Sequence, residues 1–187
     1  MPLPKVKFPA VISAAVLSAA LLLGQASADP AKDLEAKVRT WASQCATEVT
    51  TQYELLVTSG KLTMGQMFDT FYIPIPNTSP QKFHTQYDAL SDTVIQRILD
   101  KYLVKDPRIA FVVAVDRNGY LPTHNAKARA RSKRLFNDRT GLAAARNTQP
   151  FLLQKYSRDT GETMYDLSVP IFVHKRHWGA LRIGYQP

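Results

Sequence analysis

Apolar residues recur at three- and four-residue steps between Asp29 and Ser59: Leu34, Val38, Trp41, Cys45, Val49, Tyr53 and Leu56. That spacing places them on one face of a long amphipathic α-helix. Gly60 is its expected C-terminal stop. Thr63-x-x-Gln66 has the form of a capping box and predicts a short second helix carrying Met64, Met67, Phe68 and Phe71. Ile73 to Pro80 contains Pro74, Pro76 and Pro80 and reads as an extended loop wrapped on the core. A third helix is predicted from about Thr85 to Leu103, with Leu90, Val94, Ile98 and Tyr102 on one face. Asp106-Pro107 ends it.

The pattern then changes. Phe111 to Val115 is an unbroken apolar run, as a strand buried on both faces requires. Asn118-Gly119 tolerates the positive φ of a hairpin turn, and Tyr120 to Asn125 leaves it with polar groups. Lys127 to Arg139 holds six basic residues, a run read as mostly solvated. Leu142 to Ala145 predicts a short helix. Three strand-like runs follow: Phe151 to Ser157, Thr163 to Val173 and Trp178 to Tyr185. Their turns are placed at Thr160-Gly161 and His174-Lys175-Arg176. Helices followed by a five-stranded antiparallel sheet with a helical insert make an α+β domain, with the Phe111 run expected at the centre of the sheet.

Residues 1–28 stand apart. Lys5 and Lys7 precede an apolar stretch from Val11 to Leu23, and Ala26-Ser27-Ala28 fits a signal-peptidase site. Three segments are therefore expected: a signal peptide at 1–28, the long helix at 29–60 and a sheet domain at 61–187. The expected location is the periplasm, with an uncleaved N-terminal membrane anchor as the alternative. The chain of 187 residues has 24 Lys+Arg against 15 Asp+Glu; removing the two lysines of the first segment leaves 22 against 15, a net +7. Export argues against nucleic acid as the partner of that charge and leaves anionic lipid or acidic small molecules. Cys45 has no second cysteine to pair with, so no internal disulfide is expected.

The motifs of several chemistries are absent. His84, His124, His174 and His177 come without HExxH, CxxC or a carboxylate cluster, which leaves zinc without support. No CxxCH attaches haem, although a single histidine leaves non-covalent haem open, and no cofactor is expected. No GxSxG elbow, phosphate loop or dinucleotide fingerprint occurs. The remaining candidate chemistry is a small polar-ligand site. It comprises Tyr120, His124 and Asn125 at the hairpin, Arg139, Arg146 and Asn147 around the Ala-rich helix, and Tyr165 and Asp166 on the sheet. Asn137 and Asp138 lie beside it. Arg139 and Arg146 could fork onto a carboxylate. Tyr120 and Tyr165 could supply flat walls. Asp166 could balance a ligand amine or pair with an arginine.

The runs FVVAVDRNGYLPTHN, KRLFNDRTGLAAARNTQPFLLQKYSRDTGETMYDLSVPIFV and HWGALRIGY resemble the extracytoplasmic sensing domain of a group of bacterial methyl-accepting chemotaxis proteins. MFDTFYIPIPNTSPQKFHTQYD is similar to the segment ahead of their hairpin, so the likeness spans about Met67 to Tyr185. It implies a single Cache, PAS-like domain, with a long N-terminal helix and a ligand pocket on one face of the sheet. Those receptors continue into a membrane helix, a HAMP segment and a cytoplasmic coiled coil, whereas this sequence stops at Pro187, as expected of a stand-alone exported module. Its segment from Asn125 to Lys133 is short, which alters one pocket wall. The leading expectation is a periplasmic sensor-like protein that binds a small anionic or zwitterionic molecule and acts with a membrane chemoreceptor or histidine kinase. A homodimer through the long helix is expected as well, because Trp41 and its apolar stripe exceed what one small sheet needs; the alternatives are a ligand-free interaction protein that dimerises through that helix, and an exported enzyme.

Overall fold

The computed structural model describes residues 1–2, 29–157 and 161–187. Residues 3–28 of the predicted signal segment, and Thr160 of the predicted turn, lie outside the described residues.

Helix α1 (Pro30–Thr58) starts as its sequence dictates. Asp29 caps it by accepting from the Ala31 amide at 3.1 Å, and Pro30 occupies the first turn, where a missing N–H costs nothing. Gly60 follows its end at φ +72°. The buried stripe is Leu34, Val38, Ala42, Cys45, Ala46, Val49, Tyr53 and Leu56. It packs on the sheet and on α3 (Asp88–Leu103), and Trp41 is half-buried against the same core. The stripe had been expected to exceed what one sheet needs and to drive dimerisation; instead it is buried within the chain.

Helix α2 is a single turn, Met64–Met67, with the Thr63–Gln66 capping box closed in both directions. Phe68 and Phe71 fall beyond it, and Phe71 is exposed. The proline-rich segment is not only a loop. β1 (Ile73–Ile75) pairs antiparallel with β2 (Lys82–His84) in a two-stranded ribbon. In α3 the buried face is Ser91, Ile95, Leu99, Tyr102 and Leu103, one position round from the predicted Leu90–Val94–Ile98 stripe. Ser91 hides that face from a hydropathy reading: its hydroxyl lies 3.3 Å from the Tyr53 hydroxyl inside the core.

The main sheet is antiparallel, in the order β3 (Ile109–Asp116), β8 (Arg176–Tyr185), β7 (Thr163–Val173), β6 (Leu152–Ser157). The α+β architecture with a long N-terminal helix is as the sequence predicts, but the main ladder has four strands and β3 lies at its end. The return arm of the hairpin, β4 (Tyr120–Leu121), turns away to pair with β5 (Arg134–Leu135), and beyond it His124 makes an isolated bridge to Val113 of β3. Pro122 explains this: it has no N–H to continue a ladder. The turn before it is built by Asp116, whose Oδ1 accepts from the amides of Asn118 and Tyr120 at 2.9 Å each. Gly119 there has φ +81°, and a Cβ would lie 2.4 Å from the Phe136 carbonyl oxygen. Between β4 and β5 runs a 3₁₀ segment, Ala126–Arg131, and α4 (Arg139–Arg146) follows β5.

Candidate functional site

Strand alternation divides the sheet. Val112, Ala114, Leu167, Val169, Leu181 and Ile183 join the core under α1, while Val113 and Val115 belong to a second cluster with Leu121, Ala145, Phe111 and Phe136. On this second face lies a cavity of about 560 Å³, within the range of small-molecule sites. Phe111, Val113, Val115, Met164, Tyr156 and Arg182 line it from the strands. Ala128, Arg131 and Phe136 line it from the segment after the hairpin, and Asp138 and Thr140 from the start of α4.

The roof is tied down from outside. The Ala126 amide donates to Asp100 at 2.7 Å, the Gln96 side chain donates to the His124 carbonyl at 3.0 Å, and the Lys133 ammonium donates to Asp92 at 2.9 Å and to the Pro122 carbonyl at 3.1 Å. All three side-chain anchors other than Lys133 sit on α3, so the cavity wall is registered against that helix.

Two buried polar groups give the cavity its chemistry. His124 is 4% exposed, and its Nδ1 has no hydrogen-bond partner. Burial pushes its imidazole down to about 4; the neighbouring Asn125 side chain opposes this and the Arg131 charge adds to it. The ring is therefore neutral near pH 7. Arg182 is 8% exposed and donates through Nε and Nη2 to Asp166, which is fully buried. A carboxylate at 0% exposure needs such a partner. The pair uses Nε and Nη2 of the guanidinium, and Arg182 also lines the cavity.

The predicted site residues separate on this geometry. His124 lines the cavity. Asn125 is buried beside it, its Oδ1 without a partner. Asp166 shares the cavity face but lies beneath Arg182, so it pairs with an arginine rather than facing a ligand amine. Tyr165, one residue along the strand, points to the opposite face and stacks on Tyr185 with centroids 5.6 Å apart. Tyr120 also belongs to the helix side: its hydroxyl donates to Asp88 at 2.8 Å, and its ring packs on Tyr72 and Tyr87. Helix α4 buries Gly141, Ala144 and Ala145, which leaves Arg139 and Arg146 exposed at its two ends. Neither reaches the cavity; Arg146 Nε is 3.4 Å from the Arg117 carbonyl. Asn147 closes a local turn with Gln149.

Sequence reasoning missed Arg182, Arg131, Phe111, Phe136, Tyr156, Met164 and Thr140. Arg182 did carry a signal. It is the only charge between Trp178 and Tyr185, and a charge inside a buried strand must face a partner or a site.

The chain matches no family model, and no curated protein matches it. Solved structures do. The sensory domain of the Campylobacter jejuni chemoreceptor Tlp3 (CcmL) aligns with TM-score 0.52 at 12% identity, over 83% of this chain and 54% of that one. The Tlp3 ligand-binding domain in complex with 4-methylisoleucine gives 0.52 at 11%, over 83% and 52%. The same domain in complex with L-valine gives 0.50 at 11%, over 83% and 54%. The chain thus spans about half the length of the domains it matches. At this identity the likeness establishes the fold alone: the chain shares the architecture of about half of that sensory domain.

Proposed function

We propose that this chain is a ligand-binding, sensor-like module that captures a small anionic or zwitterionic molecule between its sheet and the segment from Ala126 to Thr140. The observation that carries this is the cavity itself, lined by His124, whose buried Nδ1 has no partner, and by Arg182, which is paired with a buried carboxylate. An unpartnered buried polar atom is costly unless something fills the place. The L-valine and 4-methylisoleucine complexes of Tlp3, on the same fold, support a small molecule as the occupant. The reading places the module in the periplasm, residues 1–28 being a cleaved signal peptide, and gives it a membrane chemoreceptor or histidine kinase as partner. No helix among the described residues is long and apolar enough to cross a membrane. The reading is of a binding protein, not an enzyme. A homodimer stays part of the proposal, resting on surface other than the apolar stripe of α1, which is buried within the chain.

Native mass spectrometry of protein purified from its own host tests the proposal. A retained small molecule is expected, and Val113→Trp, which fills the cavity floor, should expel it. Retention unaffected by that substitution would place the ligand elsewhere. N-terminal sequencing of exported protein should begin at Asp29.

A further inference from the structure

The cavity floor contains a row of side chains fixed by strand register. Arg182 on β8 is directly opposite Val113 on β3, and Val113 bridges His124 on the return arm. Residues opposite one another share a face, so a guanidinium, a short apolar side chain and an imidazole stand in line. Strand spacing puts the two polar ends about 10 Å apart at the backbone, with a low apolar step between them. Beside the row, the Phe111 ring lies across β8 at Gly184: a Cβ there would come within 2.1 Å of Phe111 Cε1. Phe136 closes the slot from the roof, with the Arg131 and Arg134 guanidiniums 5.3 and 5.2 Å from its centroid.

We propose, building on the ligand-binding reading above, that the preferred ligand is a hydroxylated aromatic carboxylate. Its carboxylate sits on Arg182, its ring lies over Val113 between Phe111 and Phe136, and its hydroxyl meets the imidazole of His124, which lines the cavity. The ends differ in kind. Arg182 spends its Nε and Nη2 edge on Asp166 and has its remaining terminal N–H groups to offer an anion. His124 is neutral and buried, and suits an uncharged hydroxyl. The slot between them is flat and apolar, suited to a ring. An amino acid fits less well. Asp166, fully buried under Arg182, is not offered to an ammonium; the carboxylate left in the lining is Asp138, at the exposed start of α4, where its Oδ1 accepts from the Gly141 amide at 2.9 Å.

Calorimetry on the 29–187 chain, stripped of any retained ligand, with 4-hydroxybenzoate, benzoate, acetate and L-valine as probes tests this. 4-Hydroxybenzoate should bind about fivefold to tenfold tighter than benzoate, the value of one neutral hydrogen bond. Acetate and L-valine should bind more weakly than either. In His124→Leu the fivefold to tenfold difference between the two aromatic acids should disappear, which a merely structural role for His124, weakening both acids alike, would not produce. Equal binding of the two acids by the unsubstituted chain, or failure of both to bind, overturns the proposal without needing the variant. Preference for L-valine or acetate that Val113→Trp abolishes also overturns it, yet leaves the cavity as a binding site. Binding of any probe that Val113→Trp leaves unchanged removes both readings.

Discussion

Asp166→Ala is the sharpest test of how this site is held. Asp166 and Arg182 have side chains 0% and 10% exposed, and Arg182 Nε reaches Asp166 Oδ2 at 3.1 Å. Deleting the carboxylate leaves a guanidinium in the sheet without its counter-charge. Breaking a buried pair in this way costs about 3–5 kcal/mol. For a domain of this size that lowers Tm by roughly 10 °C or more. The exposed pair Lys37–Asp33, at 53% and 52% side-chain exposure, is the internal standard: Asp33→Ala should cost about 1 kcal/mol or less. The double variant Asp166→Leu/Arg182→Met removes both charges together and should recover most of the lost stability, because an apolar pair carries no desolvation penalty. Urea unfolding with m held constant measures all three. If Asp166→Ala costs no more than Asp33→Ala, or if the double variant is as unstable as the single one, Arg182 does not depend on Asp166 and the account of the cavity floor is wrong.

Two further outcomes follow from other parts of the fold. Gly179→Ala should prevent stable folding or cost several kcal/mol, since its Cβ would lie 2.0 Å from the Val115 carbonyl oxygen and 2.6 Å from Asp116 Cα, both backbone atoms; a melting point within a few degrees of the original would contradict the register of β3 on β8. His124 titrates near 4 when folded and near 6.5 when unfolded. A depressed histidine pKa means the unfolded chain takes up the proton first, so stability is full above pH 6.5 and falls as the pH drops towards 4, by up to about 3 kcal/mol. Melting curves at pH 7 and pH 5 should show this fall, and His124→Leu should reduce it; an identical pH dependence in the variant would refute the assignment.

Much of the fold was legible in the sequence because it is local. The α1 stripe, Leu34 to Leu56, repeats at the helical period over about six turns, Asp29 and Pro30 mark the start of the helix, and Gly60 marks its end. The capping box at Thr63 and the turn at Asn118-Gly119 are set by residues within four positions of one another. The strand runs from Thr163 and Trp178 are long and rich in apolar residues, and both formed. The α3 face was misread by one position because Ser91 is buried through a hydroxyl contact with Tyr53, a residue 38 positions away.

The site was decided at a longer range. His124 could be named from sequence because a buried strand and a turn deliver it. Arg182 could not be assigned, since its partner Asp166 is fixed only by the β7–β8 register. Tyr165 and Asp166 are neighbours in sequence, but strand alternation sends one to α1 and the other to the cavity. Arg139 and Arg146 bracket the Ala-rich helix, yet the face that α4 buries leaves both outside. The sequence determined which segments are helix, strand and turn, because those depend on period and on backbone preference. The tertiary structure alone decided which side chains meet at the cavity, because facing depends on register between strands far apart in the chain, where a shift of one residue exchanges the two faces of the sheet.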